Sequence, residues 1–321
     1  MAIKSLMKLR EIPAPNFDLA MTLDSGQVFH WERVDGGFIG TIGERAIYVE
    51  QAGEILRVSR SPEELVRNYF ALDHPLAEIC ASFPDDPVIK AALGSCRGLR
   101  IIRQPRWECL ATFICSSMKQ IAHIRQISQA LRKRFGVVRT IENGAGGNRA
   151  AWTGRPARVD EPGGDSIKRV VYAFPRPQEL AQSSEEELRE CALGYRAGNL
   201  LATARLVGSG AADLEAWSAL PDPDLRAKLC ELPGVGAKIA NCVMLFAYER
   251  RRAFPIDVWI ERVLRQQYFP RNKKISPEQL RTFSETYFGE HGGYAQQYLF
   301  HHARMIKNAK ARAPRAAAAK K

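Results

Sequence analysis

Hydrophobic and polar positions change period once along this chain. Near the start, Gln27–Arg33, Gly37–Ile42, Ala46–Glu50 and Ile55–Ser59 are short β-forming runs, separated by turns at Asp35-Gly36-Gly37, Gly43-Glu44 and Ala52-Gly53. That spacing predicts an antiparallel sheet over about residues 15–60. Ser61-Pro62-Glu63-Glu64 then reads as a helix start, with a serine cap, proline in the first turn and acids behind it. From there to about residue 308 nearly every segment has helical periodicity. The exception is 139–169, rich in Gly, Pro and charge, which predicts a mobile loop. The final RAPRAAAAKK is low in complexity and predicts a disordered tail. The expected class is α+β. An antiparallel sheet domain (1–92, with flanking helices) precedes two mostly helical domains (93–185 and 186–308) with a cleft between them, and a basic tail (309–321) follows.

Composition narrows the partners. The formal net charge is +12, a surplus that favours a polyanion. Seven of the lysines and arginines lie between Arg304 and Lys321, so the body alone carries only about +5. No apolar run is long enough to span a bilayer. Met1–Arg10 lacks the continuous apolar stretch of a secretory signal. The seven cysteines are odd in number and form no C-x-x-C pair, which predicts reduced thiols inside the cell and neither a zinc site nor an iron–sulfur cluster. The expected setting is the cytoplasm or nucleoid of a bacterium, or the nucleus of a eukaryote, with no membrane partner and no secretion.

The most informative segment is Leu232-Pro233-Gly234-Val235-Gly236-Ala237-Lys238. A helix over Asp224–Glu231 runs into this turn and a second helix, about Gly236–Tyr248, leaves it. Glycines allow a close backbone approach, and free N–H groups at the new helix start suit a phosphate. Asp257, nineteen residues beyond Lys238, follows Phe254-Pro255-Ile256 and is placed to cap another helix. Taken singly, an aspartate cap and a helix lysine are ordinary. Together, a lysine in a hairpin of this kind followed by F-P-I-D resembles the helix-hairpin-helix glycosylase superfamily, and that resemblance implies the breaking of an N-glycosidic bond. A carboxylate stabilises positive charge at C1′, and an unprotonated amine attacks that carbon to form a Schiff base. The imine acidifies the C2′ proton, so β-elimination cuts the strand. An enzyme lacking such a lysine would use water and stop at the abasic site.

With L-P-G-V-G-x-K and F-P-I-D, the chain resembles the helix-hairpin-helix family of 8-oxoguanine DNA glycosylase/AP lyases, over about residues 13–306. Five further stretches match in order. Asp24-Ser25-Gly26-Gln27-Val28-Phe29-His30-Trp31 is similar to the family's G-Q-x-F-x-W, which implies that the Gly26 carbonyl accepts the N7–H of the oxidised purine. Thr112–Ser117 resembles F-I-C-S-S before a helix. Leu193-Gly194-Tyr195-Arg196-Ala197 implies a wedge, Tyr195, and an arginine, Arg196, on the base left behind. Lys238–Cys242 implies that Cys242 packs on one face of the flipped base. Gly293–Phe300 implies that Gln296 reads the Watson–Crick edge and Phe300 forms the other face, both from one helix at i, i+4. The resemblance also implies Lys238 and Asp257 as catalytic residues, Gly234, Val235, Gly236 and Trp259 as DNA-backbone contacts, and no cofactor. The implied partner is duplex DNA containing an oxidised purine, bound by a monomer.

Three positions depart from the family's pattern. Met118 stands where an asparagine helps read the opposite cytosine, and His123 where an arginine does. Both predict relaxed opposite-base discrimination. Trp259 replaces a phosphate-contacting histidine, although an indole N–H still donates. Three other readings stay open: a related alkylated-purine glycosylase, which would need no hairpin lysine; a noncatalytic DNA-binding module; and an endonuclease III-like enzyme, whose four-cysteine cluster is missing beyond Asp257.

Overall fold

The computed structural model describes residues 9–59, 61–141, 169–272 and 274–312. Nearly all of the expected 139–169 loop and the end of the basic tail lie outside them.

Five strands form one antiparallel sheet: β1 (Arg10–Pro13), β2 (Glu32–Val34), β3 (Gly37–Ile42), β4 (Arg45–Ala52) and β5 (Ile55–Val58), in the order β1-β5-β4-β3-β2. Asp35 (φ 44°) and Gly36 (φ 84°) both take positive φ, as the two-residue turn between β2 and β3 requires. The expected strand over Gln27–Arg33 shrinks to Glu32–Val34. The Gln27 side chain instead donates to the carbonyls of Thr22 (3.1 Å) and Arg100 (2.8 Å) and accepts from the Ile102 amide (2.8 Å). Its own carbonyl is taken by Gln104 (2.8 Å). These bonds replace a ladder and fix the loop that follows α1 (Leu19–Asp24).

The helices are α2 (Glu63–Tyr69), α3 (Leu76–Ala81), α4 (Pro87–Ser95), α5 (Arg106–Ser116) and α6 (Ile121–Phe135), then α7 (Pro177–Ala181), α8 (Glu185–Arg189), α9 (Arg196–Gly208), α10 (Asp222–Cys230) and α11 (Ala237–Ala247). They end with α12 (Val258–Val263), which runs into a π-helical turn, α13 (Pro277–Tyr287) and α14 (Gly292–Arg312). Three expectations need correction. Ser61 does not cap α2: Pro62 occupies the cap position, with no side-chain hydrogen bond. The ends of the predicted loop are strands, β6 (Val138–Ile141) and β7 (Arg169–Tyr172), paired antiparallel, with Ile141 packed beside Ile39 and Tyr48 of the main sheet. The last helix runs past 308 to Arg312.

Two cores hold the molecule. Ile12, Ile47, Val49, Leu56, Val58, Val66 and Phe70 fill the space between the sheet and α2. The helices share one continuous second core. At its centre α5 packs on α11, each with a long run of consecutive buried residues, Glu108–Ser116 and Ile239–Phe246. A helix buried almost all round is a rigid support, and α11 is the one that begins at the glycine turn.

Candidate active site

The turn between α10 and α11 is built from the inside out. Leu232 and Val235 are buried and anchor it, and the Val235 amide donates to the Leu232 carbonyl (3.1 Å). Gly234 sits at φ 80°, where a Cβ would lie 2.8 Å from Asn199 Cβ of α9, so the position admits no side chain. Gly236 caps α11 in extended conformation with no side-chain hydrogen bond and open space around it. The first amides of α11 therefore have no side-chain acceptor, the arrangement that binds a phosphate.

In the first turn of α11, the half-buried Lys238 donates from Nζ to Ser116 Oγ (3.3 Å) at the end of α5, with the Phe113 ring centroid 5.3 Å away. Ser116 Oγ donates in turn to the Phe113 carbonyl (2.7 Å), which turns its lone pairs towards the amine. Asp257 caps α12, with Oδ1 accepting from the amides of Trp259 (3.0 Å) and Ile260 (2.9 Å). Burial raises its pKa above the ordinary aspartate value, while these amides and the charge of Lys238 pull it down. Lys238 and Asp257 thus feel one another, yet the amine bonds to Ser116 and forms no ion pair with the carboxylate. A turn further along α11, burial pushes the Cys242 thiol up to about 11, with Lys238 lowering it and Asp257 raising it. Cys242 is therefore a neutral, soft wall beside the two charged groups.

A cavity of about 930 Å³ opens over these residues. Lys238, Asp257, Cys242, Gly26, Gln296 and Phe300 all line it, with Met118, Gly234, Gly236 and Trp259. Gln296 is 4% exposed, and its Oε1 is buried without a hydrogen-bond partner among the described residues. A base with N–H donors on its edge would satisfy that acceptor. Gly26 sits at φ 91°, and a Cβ there would meet Ile121 Cδ1 at 2.8 Å and both Phe300 Cε1 and Arg304 Nη1 at 3.1 Å. Two cations lie near the Trp259 ring, with Lys307 Nζ 4.5 Å and Arg262 Cζ 5.6 Å from its centroid.

The other predicted residues lie outside the lining. Tyr195 is 63% exposed and His123 is exposed, whereas the Val235 side chain points into the core. Arg196 is buried beneath Tyr195, with its guanidinium 4.3 Å from that ring and bonded to the carbonyls of Ser117 and Leu193. In this structure it braces the turn carrying Met118 and does not face solvent. Sequence reasoning passed over Ser116, Gln297, Arg304 and Lys307 as cavity residues. Ser116 lies inside the F-I-C-S-S match, and Arg304 stands at i+4 from Phe300, so both had a readable signal.

Comparisons with known proteins give the family. Residues 11–110 match the 8-oxoguanine DNA glycosylase N-terminal domain, and 112–289 match the HhH-GPD superfamily of base excision DNA repair proteins. The chain belongs to that superfamily and, within it, to the 8-oxoguanine DNA glycosylase family. Among its relatives is a probable N-glycosylase/DNA lyase of Methanothermobacter thermautotrophicus, 28% identical over 91% of this chain and 95% of the relative. Two solved structures share the fold closely. MBOgg1, in complex with a low affinity DNA ligand, is 30% identical with a TM-score of 0.80, covering 94% of this chain and 100% of that one. The Clostridium acetobutylicum 8-oxoguanine glycosylase/lyase, in complex with double-stranded DNA containing cytosine opposite 8-oxoguanine, is 28% identical with a TM-score of 0.78, covering 94% and 99%.

Proposed function

We propose that this protein is a bifunctional DNA glycosylase/AP lyase of base excision repair that removes 8-oxoguanine from duplex DNA and cuts the strand at the resulting abasic site. The observation that carries this reading is the shared cavity: an amine, a largely buried carboxylate and one unsatisfied acceptor, Gln296 Oε1, open onto the same space of about 930 Å³.

The chemistry follows from the geometry. The phosphate grip of the Gly234–Gly236 turn and the start of α11 holds the backbone. The flipped purine enters between Cys242 and Phe300, Gln296 Oε1 accepts from its Watson–Crick edge, and the Gly26 carbonyl accepts the N7–H that guanine lacks. Asp257 stabilises the positive charge that develops at C1′ as the glycosidic bond breaks, and Lys238, as the free amine, forms the new bond to C1′. The sugar opens to the imine, C2′ loses a proton, and the 3′ phosphate leaves. No cofactor enters these steps. Trp259 with its two nearby cations faces the phosphodiester, and Tyr195 fills the gap in the stack. Arg196, Met118 and His123 face the opposite base, Arg196 once DNA draws it from under Tyr195. Met118 brings no hydrogen-bonding group to that base, so excision tolerates any partner. Every residue in the scheme comes from one chain, which fits a monomer, and no helix among the described residues is long and apolar enough to cross a membrane.

Duplexes carrying 8-oxoguanine, incubated with the protein and run with and without alkali, test the reading. It expects strand breaks without alkali. Breaks only after alkali would make the enzyme monofunctional, and none at all would leave a DNA binder.

A further inference from the structure

Helix α14 supplies Gln296 and Phe300 to the cavity, and two more of its side chains reach across to the loop after α1. Gln297 Nε2 donates to the Ser25 carbonyl (3.2 Å), and Arg304 Nη1 donates to the same carbonyl (3.0 Å) and to that of Asp24 (3.4 Å). Gln104 holds the Gln27 carbonyl from the other side (2.8 Å). Of three successive carbonyls, Ser25, Gly26 and Gln27, the outer two are tied down, and that of Gly26 receives no donor among the described residues.

Arg304 is costly where it stands. Arg304 is half-buried, its guanidinium lies 5.3 Å from the Phe300 ring centroid and lines the cavity, and it forms no ion pair among the described residues, although the charges of Asp24 and Asp257 act on it from further off. A half-buried cation bonded only to backbone carbonyls, with no carboxylate in direct contact, is a poor route to stability. Its neighbours suggest a different return: Arg304 Nη1 and Phe300 Cε1 both lie 3.1 Å from where a Gly26 Cβ would be.

We propose that Arg304 is a positioning residue that determines lesion specificity by fixing the direction of the Gly26 carbonyl, with Gln297 as its auxiliary. This rests on the lesion reading above. A carbonyl aimed at purine N7 attracts the N7–H of 8-oxoguanine and repels the lone pair that guanine carries there. That discrimination requires an acceptor that cannot turn away, because a mobile carbonyl would accommodate either base. Clamping the preceding carbonyl from α14 ties the reader of one base edge to the helix that reads the other.

The experiment compares single-turnover excision of 8-oxoguanine with strand cutting at a preformed abasic site in the same duplex, for wild type, Arg304→Met and Arg304→Lys. Methionine keeps the apolar contact with Phe300 and removes the donors. The abasic arm needs Lys238 and the phosphate grip but has no base to read, so it also reports on folding. Arg304→Met is expected to slow excision about 10- to 100-fold, the weight of a hydrogen bond from a charged donor. Cutting of the abasic duplex should follow wild type within about threefold, and Arg304→Lys, which keeps a charged donor, should recover most of the excision. Equal losses in both arms, or excision at the wild-type rate, would overturn the assignment of Arg304 alone. A wild-type protein that cuts abasic DNA but leaves 8-oxoguanine untouched would remove the lesion reading, and this proposal with it.

Discussion

The two sides of the cavity are built on opposite principles. On the lesion side, Gln296 and Cys242 are each 4% exposed, and Gly26 lies in a loop whose neighbouring carbonyls are held from α14 and from Gln104. On the side proposed to meet the opposite base, Met118 is 93% exposed at φ 53°, and Tyr195, outside the cavity lining, is 63% exposed; neither the Tyr195 hydroxyl nor the His123 ring has a hydrogen-bond partner among the described residues, and only Arg196 is buried and bonded, to the carbonyls of Ser117 and Leu193. The first side is held by hydrogen bonds in the absence of DNA, whereas Met118, Tyr195 and His123 stand exposed without them. Preorganised groups discriminate because wrong partners leave them unsatisfied, and loose groups adapt. On the proposed reading, the contrast predicts an enzyme strict about the lesion and lenient about its partner.

The largest effect that would break this picture lies at the chemical centre. Asp257→Asn should lower excision about 10²- to 10⁴-fold, the range for a lost charged catalytic group. Asparagine caps a helix as well as aspartate does, so the fold should persist. The carboxylate is the working form, so excision should rise with pH through a midpoint above 3.8. The same raised pKa means that folding favours the protonated acid. Its contribution to stability is present at low pH and lost as pH rises through the folded-state pKa, leaving the buried carboxylate a net cost at neutral pH. Asp257→Asn should therefore melt no lower than wild type at pH 7, and a fall of several degrees would contradict this.

Next in size is Gly26→Ala. Its methyl would sit 2.8 Å from Ile121 Cδ1 on a backbone at φ 91°, a strain of about 1–3 kcal/mol placed on the lesion reader. Excision should fall about 10- to 100-fold, while cutting at abasic sites persists. Met118→Asn probes the lenient side. Wild type should excise 8-oxoguanine opposite C, A, G and T at comparable rates, and the asparagine should create a preference for C of about tenfold, the value of a modest base-edge contact. Smallest is Lys307→Gln, which should reduce the salt slope of DNA binding by about 0.9 with little change in excision at saturating enzyme.

Most of the site was legible because its signals are local. The glycine turn, the Asp257 cap and the i, i+4 pair Gln296 and Phe300 each lie within a few residues of chain, and the structure brings all of them to one cavity. What escaped depends on distant partners. Ser116 and Lys238 are 122 residues apart, so nothing local announces their hydrogen bond. Arg304 counts among the basic residues near the end of the chain, and nothing in its local sequence announces the hydrogen bond that reaches back to Ser25. β1 pairs with β5 across the sheet edge, and Gln27–Trp31 has strand-like residues yet spends its hydrogen bonds on Arg100, Ile102 and Gln104. Arg196, expected on the base left behind, is tucked under Tyr195 because Ser117 offers it a carbonyl.

Borohydride trapping tests the central claim most directly. Reduction during reaction with 8-oxoguanine duplex should freeze the imine as a covalent protein–DNA adduct that forms with wild type and disappears in Lys238→Gln. An adduct of undiminished yield in that variant would place the nucleophile elsewhere. Excision by wild type with no adduct would mean that water, and not this amine, attacks the sugar.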